Sequence, residues 1–229
     1  MTACMKLYTY FRSSAAWRVR IALNLKGLPY DAVPVHLVRH GGEQLQDAYR
    51  AINPSALVPS LEDDGAKDAT LTQSMAIIEY LEEMHPQVAL LPASAIERAR
   101  VRALAQMIAC DIHPLNNLRV LRYLVRTLKV EDEAKNAWYR HWIEEGFAAF
   151  ETQLALGSRG DATSNPAPGR FCHGDTPTIA DCFLVPQVYN AARFDVDMTP
   201  YPRIAAIDAA CAALPAFAAA HPSRQPDAE

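Results

Sequence analysis

Residues 5–27 read MKLYTYFRSSAAWRVRIALNLKG, a short aromatic-rich run that passes into helical periodicity. Met5 to Tyr10 predicts a strand. Ala15 to Leu25 then places Ala16, Val19 and Leu23 on one helical face, and Gly27 supplies a stop. The linking residues Phe11-Arg12-Ser13-Ser14 put two hydroxyls at a helix N-terminus, where free amides and the helix dipole favour an anion or thiolate. A serine there can cap the helix or donate to such a ligand.

Outward from this unit the alternation continues. Tyr30 to Leu37 reads as a second strand, Gly41-Gly42 as a turn, and Gln44 to Ala51 as a short helix. Val58 to Glu62 and Ala69 to Leu71, joined by Asp63-Asp64-Gly65, read as a hairpin. A helix from Ser74 buries Ala76, Ile77, Tyr80, Leu81 and Met84 and ends at His85-Pro86. The order is βαβαββα over residues 1–88. After Pro92 alternation vanishes, so residues 93–229 are expected to form an all-helical domain. Its helices span Ser94 to Asp111, with a kink at His113-Pro114, then Leu115 to Leu128 and Glu131 to Leu156. A loop follows over residues 157–169, then a helix from the capping box Thr178-Ile179-Ala180-Asp181 to about Ala192. The fold class is therefore α/β plus all-α.

The whole chain has 229 residues, 50% hydrophobic and 21% charged, which excludes disorder and collagen-like repeats. The longest apolar stretch, Ala209 to Ala220, is broken by Pro215 and falls short of a bilayer span, and the N-terminus lacks a signal-peptide core. A cytoplasmic protein with no membrane partner is the expectation. Cys4, Cys110, Cys172, Cys182 and Cys211 form no C-x-x-C pair and read as buried thiols. The net charge of -4 conceals two basic windows without an acid. Lys6, Arg12, Arg18, Arg20 and Lys26 form the first, and Arg119, Arg122, Arg126 and Lys129 the second. An acidic body with two such windows suits small anions and not nucleic acid.

No dinucleotide or phosphate-loop glycine motif is present. His36 and His40 lack the framing of a zinc helix, so no metal is expected. Asn53-Pro54-x-x-x-Val58-Pro59 followed by Gln73-Ser74 is more informative. A cis Val58-Pro59 bond would turn the Val58 amide and carbonyl outward to pair with a peptide-like ligand, and Gln73 and Ser74 would receive its carboxylate. A sheet edge, two helix N-termini and a serine together describe a glutathione site.

The stretches YFRSSAAWRVRIALNLKG, NPSALVPSL, QSMAIIEYLEE, DIHPLNNLRVL, GDTPTIADCFLVPQV, ARFDVDMTPYP and the tail ending HPSRQPD resemble the zeta class of glutathione transferases over nearly the whole chain. The resemblance implies a thioredoxin-like N-terminal domain, a helical C-terminal domain and a homodimer. It implies glutathione as cofactor, held by Ser13, Ser14, Gln44, Val58, Gln73, Ser74, His113, Asn117 and Arg119, with Asn116 in the same region, which in the family can reach the other subunit's site. One departure is clear: Ala15 stands where the family's Ser-Ser-Cys motif has cysteine, so that thiol is not needed here.

The activity implied is cis–trans isomerisation of a maleyl double bond, maleylacetoacetate to fumarylacetoacetate, in the catabolism of aromatic amino acids. Ser14 is expected to activate the thiol first and Ser13 second. Arg12, Arg119 and Arg193 would bind the dicarboxylate substrate. The alternatives are isomerisation of maleylpyruvate, transfer to haloacids, and a non-catalytic binding protein of the same fold.

Overall fold

A computed structural model describes residues 5–66, 69–156 and 169–229. The chain divides into two compact units, Met1–Leu90 with Ala212–Glu229, and Leu91–Cys211. The last stretch thus joins the first unit, although the sequence placed it with the helical domain.

In the first unit β1 (Met5–Thr9), α1 (Ser14–Lys26), β2 (Tyr30–Pro34), α2 (Asp47–Ile52), β3 (Ser60–Asp63), β4 (Thr70–Thr72) and α3 (Ser74–Met84) follow in order. The sheet order is β2-β1-β3-β4, with β1 parallel to β2 and the other pairs antiparallel. The parallel pair demands a crossover, which α1 supplies. Gly27 ends α1 in the left-handed region, φ 66°, and donates to Asn24 and Leu23 carbonyls. β2 stops sooner than the sequence suggests, because the His36 amide leaves the sheet for Glu43 Oε2 at 2.6 Å. The expected helix over 44–51 is two pieces, a tight turn at Glu43–Leu45 and α2. Gln46 between them is extended, and its carbonyl receives the Tyr49 and Arg50 amides.

The short helix α9 (Pro215–Ala220) packs on α1, where Asn24 Nδ2 donates to the Ala216 carbonyl at 3.0 Å. Contact with α1 on this side as well as with α3 explains why α1 is buried almost all round, including Arg18, Arg20 and Lys26.

The second unit contains α4 (Ala95–Gln106), α5 (Leu118–Arg126), α6 (Asp132–Leu156), α7 (Ile179–Arg193) and most of α8 (Pro202–Ala212). Val101, Leu104, Ile108, Ile143, Phe147, Phe150, Phe183 and Leu184 fill its core. The expected helix to Asp111 changes character before its kink: Met107–Ile112 is a π-helical turn, with the His113 amide reaching back five residues to Ile108. Gly146 in α6 permits this wider turn to approach, since a Cβ there would lie 2.3 Å from Ile112 Cδ1. Past Pro114 the chain re-enters a helix at Leu118, not Leu115, because Asn117 caps it through the Arg119 amide. The predicted loop falls almost wholly outside the described residues. Asp181 performs the expected capping, accepting the Thr178 amide at 2.7 Å and hydroxyl at 2.8 Å, and it also takes the Cys172 amide.

Candidate active site

The first unit brings three predicted segments together. Ser13 is the N-cap of α1, its Oγ accepting the Ala16 amide at 3.3 Å, and Ser14 is the first helical residue, buried. Ala15 follows within the first turn. The Val58-Pro59 bond is cis, and among the described residues neither the amide nor the carbonyl of Val58 takes a hydrogen bond. Phe11 and Val58 share one apolar cluster with Tyr10, Val35 and Tyr49, which joins the serine turn to this bend.

The Asn53-to-Pro59 motif has a visible cause. Asn53 Nδ2 and the Tyr49 hydroxyl both donate to the Leu57 carbonyl at 2.8 Å, and both side chains also meet Ser60 Oγ. The residue before Val58 is therefore held from two sides. Asn53 was legible as part of the motif, whereas Tyr49 was not.

At the third segment Gln73 precedes α3 with φ 69° and ψ 119°, a conformation that costs a non-glycine residue roughly 1–3 kcal/mol. Gln73 is exposed and Ser74 buried. Ser74 Oγ accepts from Arg18 Nη1 at 3.3 Å, so a buried guanidinium stands behind the N-terminus of α3. Gln44 is buried, with its Oε1 unpartnered among the described residues. An unpaired backbone edge, an orphaned buried amide oxygen and two helix N-termini fit a small peptide with a carboxylate and a thiol, as glutathione is.

Arg12 is exposed and oriented by its neighbours. Its Nη2 donates to the Tyr10 hydroxyl at 3.2 Å, and its guanidinium lies 5.1 Å from the Phe11 ring centre. Arg18, Arg20 and Lys26 of this window depart from the expectation of an anion-binding surface, whereas Lys6 is exposed beside Glu62. Arg20 is held by Thr9, Tyr10, Phe11 and Ala220, and Lys26 by Glu82, His85 and Val88. Burial pulls Arg20 down to about 10, still charged at neutral pH. These groups, with Arg18, serve the interior, because α3 and α9 pack against α1.

In the second unit Arg193 closes α7 and is exposed, with Nη1 3.4 Å from Asn190 Oδ1. Phe194 stacks on Tyr139 at 3.7 Å. Burial pushes the Tyr139 hydroxyl up to about 12 despite the opposing Arg193 charge. Asn116 Nδ2 donates to the Tyr139 carbonyl at 3.0 Å, and Asn116 Oδ1 is unpartnered among the described residues. Asn117 is committed to capping α5, Arg119 is exposed, and His113 is half-buried. Tyr139 and Asn190 gave no signal in the sequence.

Among the described residues no group of three His, Cys, Asp or Glu side chains is placed to hold a metal. His36 Nδ1 accepts the Val38 and Arg39 amides, which occupies one ring nitrogen. None of the described helices is long and apolar enough to cross a membrane. Cys172, Cys182 and Cys211 are buried as expected, Cys110 is exposed, and Cys4 lies outside the described residues. Burial pushes the Cys172 thiol well up, which disfavours its thiolate form.

A thioredoxin-like unit with a cis-proline bend, followed by a helical unit, defines the glutathione transferase class. The chain matches the models of the glutathione S-transferase N-terminal domain over residues 7–89 and C-terminal domain over 132–219, and it belongs to that family. It is 54% identical to a maleylpyruvate isomerase of a Ralstonia species, over 97% of this chain and 99% of that protein. A holo structure of maleyl pyruvate isomerase, described as a bacterial zeta-class glutathione S-transferase, is 53% identical with a TM-score of 0.89, covering 98% of this chain and all of the other. The maleylacetoacetate isomerase of Anaeromyxobacter dehalogenans, solved with glutathione in its active site, is 49% identical with a TM-score of 0.85, covering 100% and 99% of the two chains.

Proposed function

We propose that this protein is a glutathione-dependent cis–trans isomerase of a maleyl keto acid, with maleylacetoacetate as substrate and fumarylacetoacetate as product. The observation that carries the reading is the grouping, in one unit, of the Ser13-Ser14 helix start, the unpaired Val58 backbone and the Gln73-Ser74 helix start. The maleylacetoacetate isomerase named above supports it, being 49% identical to this chain along its whole length.

When bound, glutathione supplies a thiolate that adds reversibly to the activated alkene, so that the bond becomes single, rotates, and returns as the trans double bond on elimination. Ser14 donates a hydrogen bond from its hydroxyl to the thiolate, and the positive end of α1 favours the ionised form. Ser13 fixes the helix start beside it. Val58 pairs with the peptide backbone of glutathione, Gln73 and Ser74 receive a carboxylate, and Gln44 takes a polar group on its free oxygen. Arg12 and, in the second unit, Arg193 bind substrate carboxylates and stabilise the negative charge that develops during addition. His113, Asn117 and Arg119 complete the ligand contacts.

We take the protein to act in the cytoplasm, as a homodimer, in aromatic amino-acid breakdown. Maleylpyruvate is the second reading, favoured by the 54% identical relative. Spectrophotometric assays of maleylacetoacetate, maleylpyruvate and dichloroacetate, each with and without glutathione, decide among them. Glutathione-dependent turnover greatest on maleylacetoacetate is expected. Turnover of dichloroacetate alone would overturn the isomerase reading.

A further inference from the structure

The segment HPSRQPD at residues 221–227 has no part in the chemistry above, yet it returns to the turn that carries Arg12, Ser13 and Ser14. Asp227 Oδ2 accepts the Phe11 amide at 2.9 Å across 216 residues of sequence. Arg20 takes the other end of the same residue, its Nη2 donating to the Phe11 carbonyl at 2.9 Å. The same guanidinium holds the Tyr10 carbonyl and Thr9 Oγ1, and through Nε the carbonyl of Ala220 at the end of α9. Phe11 is thus gripped by a carboxylate at its amide and by a buried guanidinium at its carbonyl.

The tail is itself fixed. Gln225 Nε2 donates to the Ala219 and His221 carbonyls, and the Glu229 side chain pairs with Arg39 and lies 3.3 Å from His36 Nε2. The Asp227 charge also works against the lowering of the Arg20 pKa by burial. A carboxylate on a backbone amide makes a charge-assisted bond, about twice as strong as a neutral one.

We propose that Asp227 is a positioning residue for the thiol-activating turn, its carboxylate and the Arg20 guanidinium together setting where Arg12, Ser13 and Ser14 present their side chains. The hydroxyl and guanidinium groups must meet a bound thiolate and a substrate carboxylate within a narrow tolerance, and the backbone one residue earlier decides their place. The assignment rests on the glutathione reading above.

The test uses the full chain with Asp227→Ala and Asp227→Asn. Four quantities are followed: amide hydrogen exchange at Phe11, the ultraviolet titration of the bound glutathione thiolate, kcat and KM, and Tm. Asp227→Ala should strip protection from the Phe11 amide, move the thiolate titration upward and lower kcat about tenfold, as expected for a misplaced catalytic group. Asp227→Asn retains an acceptor oxygen and should recover much of each loss. A lower Tm with unchanged thiolate titration and kcat would reduce Asp227 to a structural tie and overturn the proposal. Exchange at Phe11 reads the grip of the tail without ligand, so loss of protection in a chain that binds no glutathione would refute the functional reading and the positioning role together. Unchanged protection in an active enzyme would refute the positioning role alone.

Discussion

Arg18 Nη1 donates to Ser74 Oγ at 3.3 Å, linking the interior of α1 to the first residue of α3. The two helix starts assigned to glutathione are therefore parts of one hydrogen-bonded scaffold. A buried cation behind Ser74 also adds to the positive end of α3, which an incoming carboxylate meets. Arg18→Met keeps the volume and removes both effects. It should destabilise the fold by about 1–3 kcal/mol, the usual loss when a buried hydroxyl forfeits its donor, and raise the glutathione Kd several-fold. Calorimetry of binding alongside thermal melts checks this, and an unchanged Kd in a destabilised protein would confine Arg18 to the core.

Ser13 and Ser14 are adjacent in sequence but differ in duty. Ser13 Oγ caps α1 through the Ala16 amide, so Ser13→Ala should cost about 1 kcal/mol of stability. Ser14→Ala should lower isomerase turnover more than about tenfold, with the thiolate titration of bound glutathione shifted upward. Normal turnover of Ser14→Ala at saturating glutathione would transfer the role to Ser13.

Arg193 ends α7 exposed, with Asn190 and Phe194 as near neighbours. Arg193→Ala should raise KM for the dicarboxylate by about tenfold or more while KM for glutathione stays within about twofold, since a bidentate guanidinium–carboxylate pair is lost from one ligand only. Steady-state kinetics with each substrate varied in turn gives the answer. Equal rises in both constants would remove Arg193 from the substrate clamp.

The strand and helix order of the first unit was legible because each element carries its own period and stop signal, as Gly27 does for α1. The local geometry of the proposed site was legible wherever a backbone motif marks it: Ser13 at the cap, Val58 before Pro59, Gln73 before α3. Long-range partnerships carried no such mark. Arg18, Arg20 and Lys26 read as a surface charge window, and only the packing of α3 and α9 around α1 makes them internal. Asp227 meets Phe11 through a fold-back that no local pattern encodes. The π-helical turn at Met107–Ile112 escaped for a related reason, since its accommodation depends on Gly146 in another helix.

Asp208 in α8 offers a pH-dependent test of burial. Burial raises its carboxyl from 3.8 to about 6, so the folded state binds this proton more tightly than the unfolded chain does. The stabilisation is complete below pH 3.8 and is lost as pH rises to about 6, beyond which the ionised carboxylate costs the fold up to about 3 kcal/mol. Asn imitates the protonated acid. Asp208→Asn should therefore exceed wild type in stability at pH 7 to 8, and the gap should close progressively below pH 6 and vanish near pH 4. Denaturant melts of both proteins across that range measure the difference directly. A gap of constant size at every pH would show that the carboxyl is hydrated in the folded protein and titrates as it does in the unfolded chain.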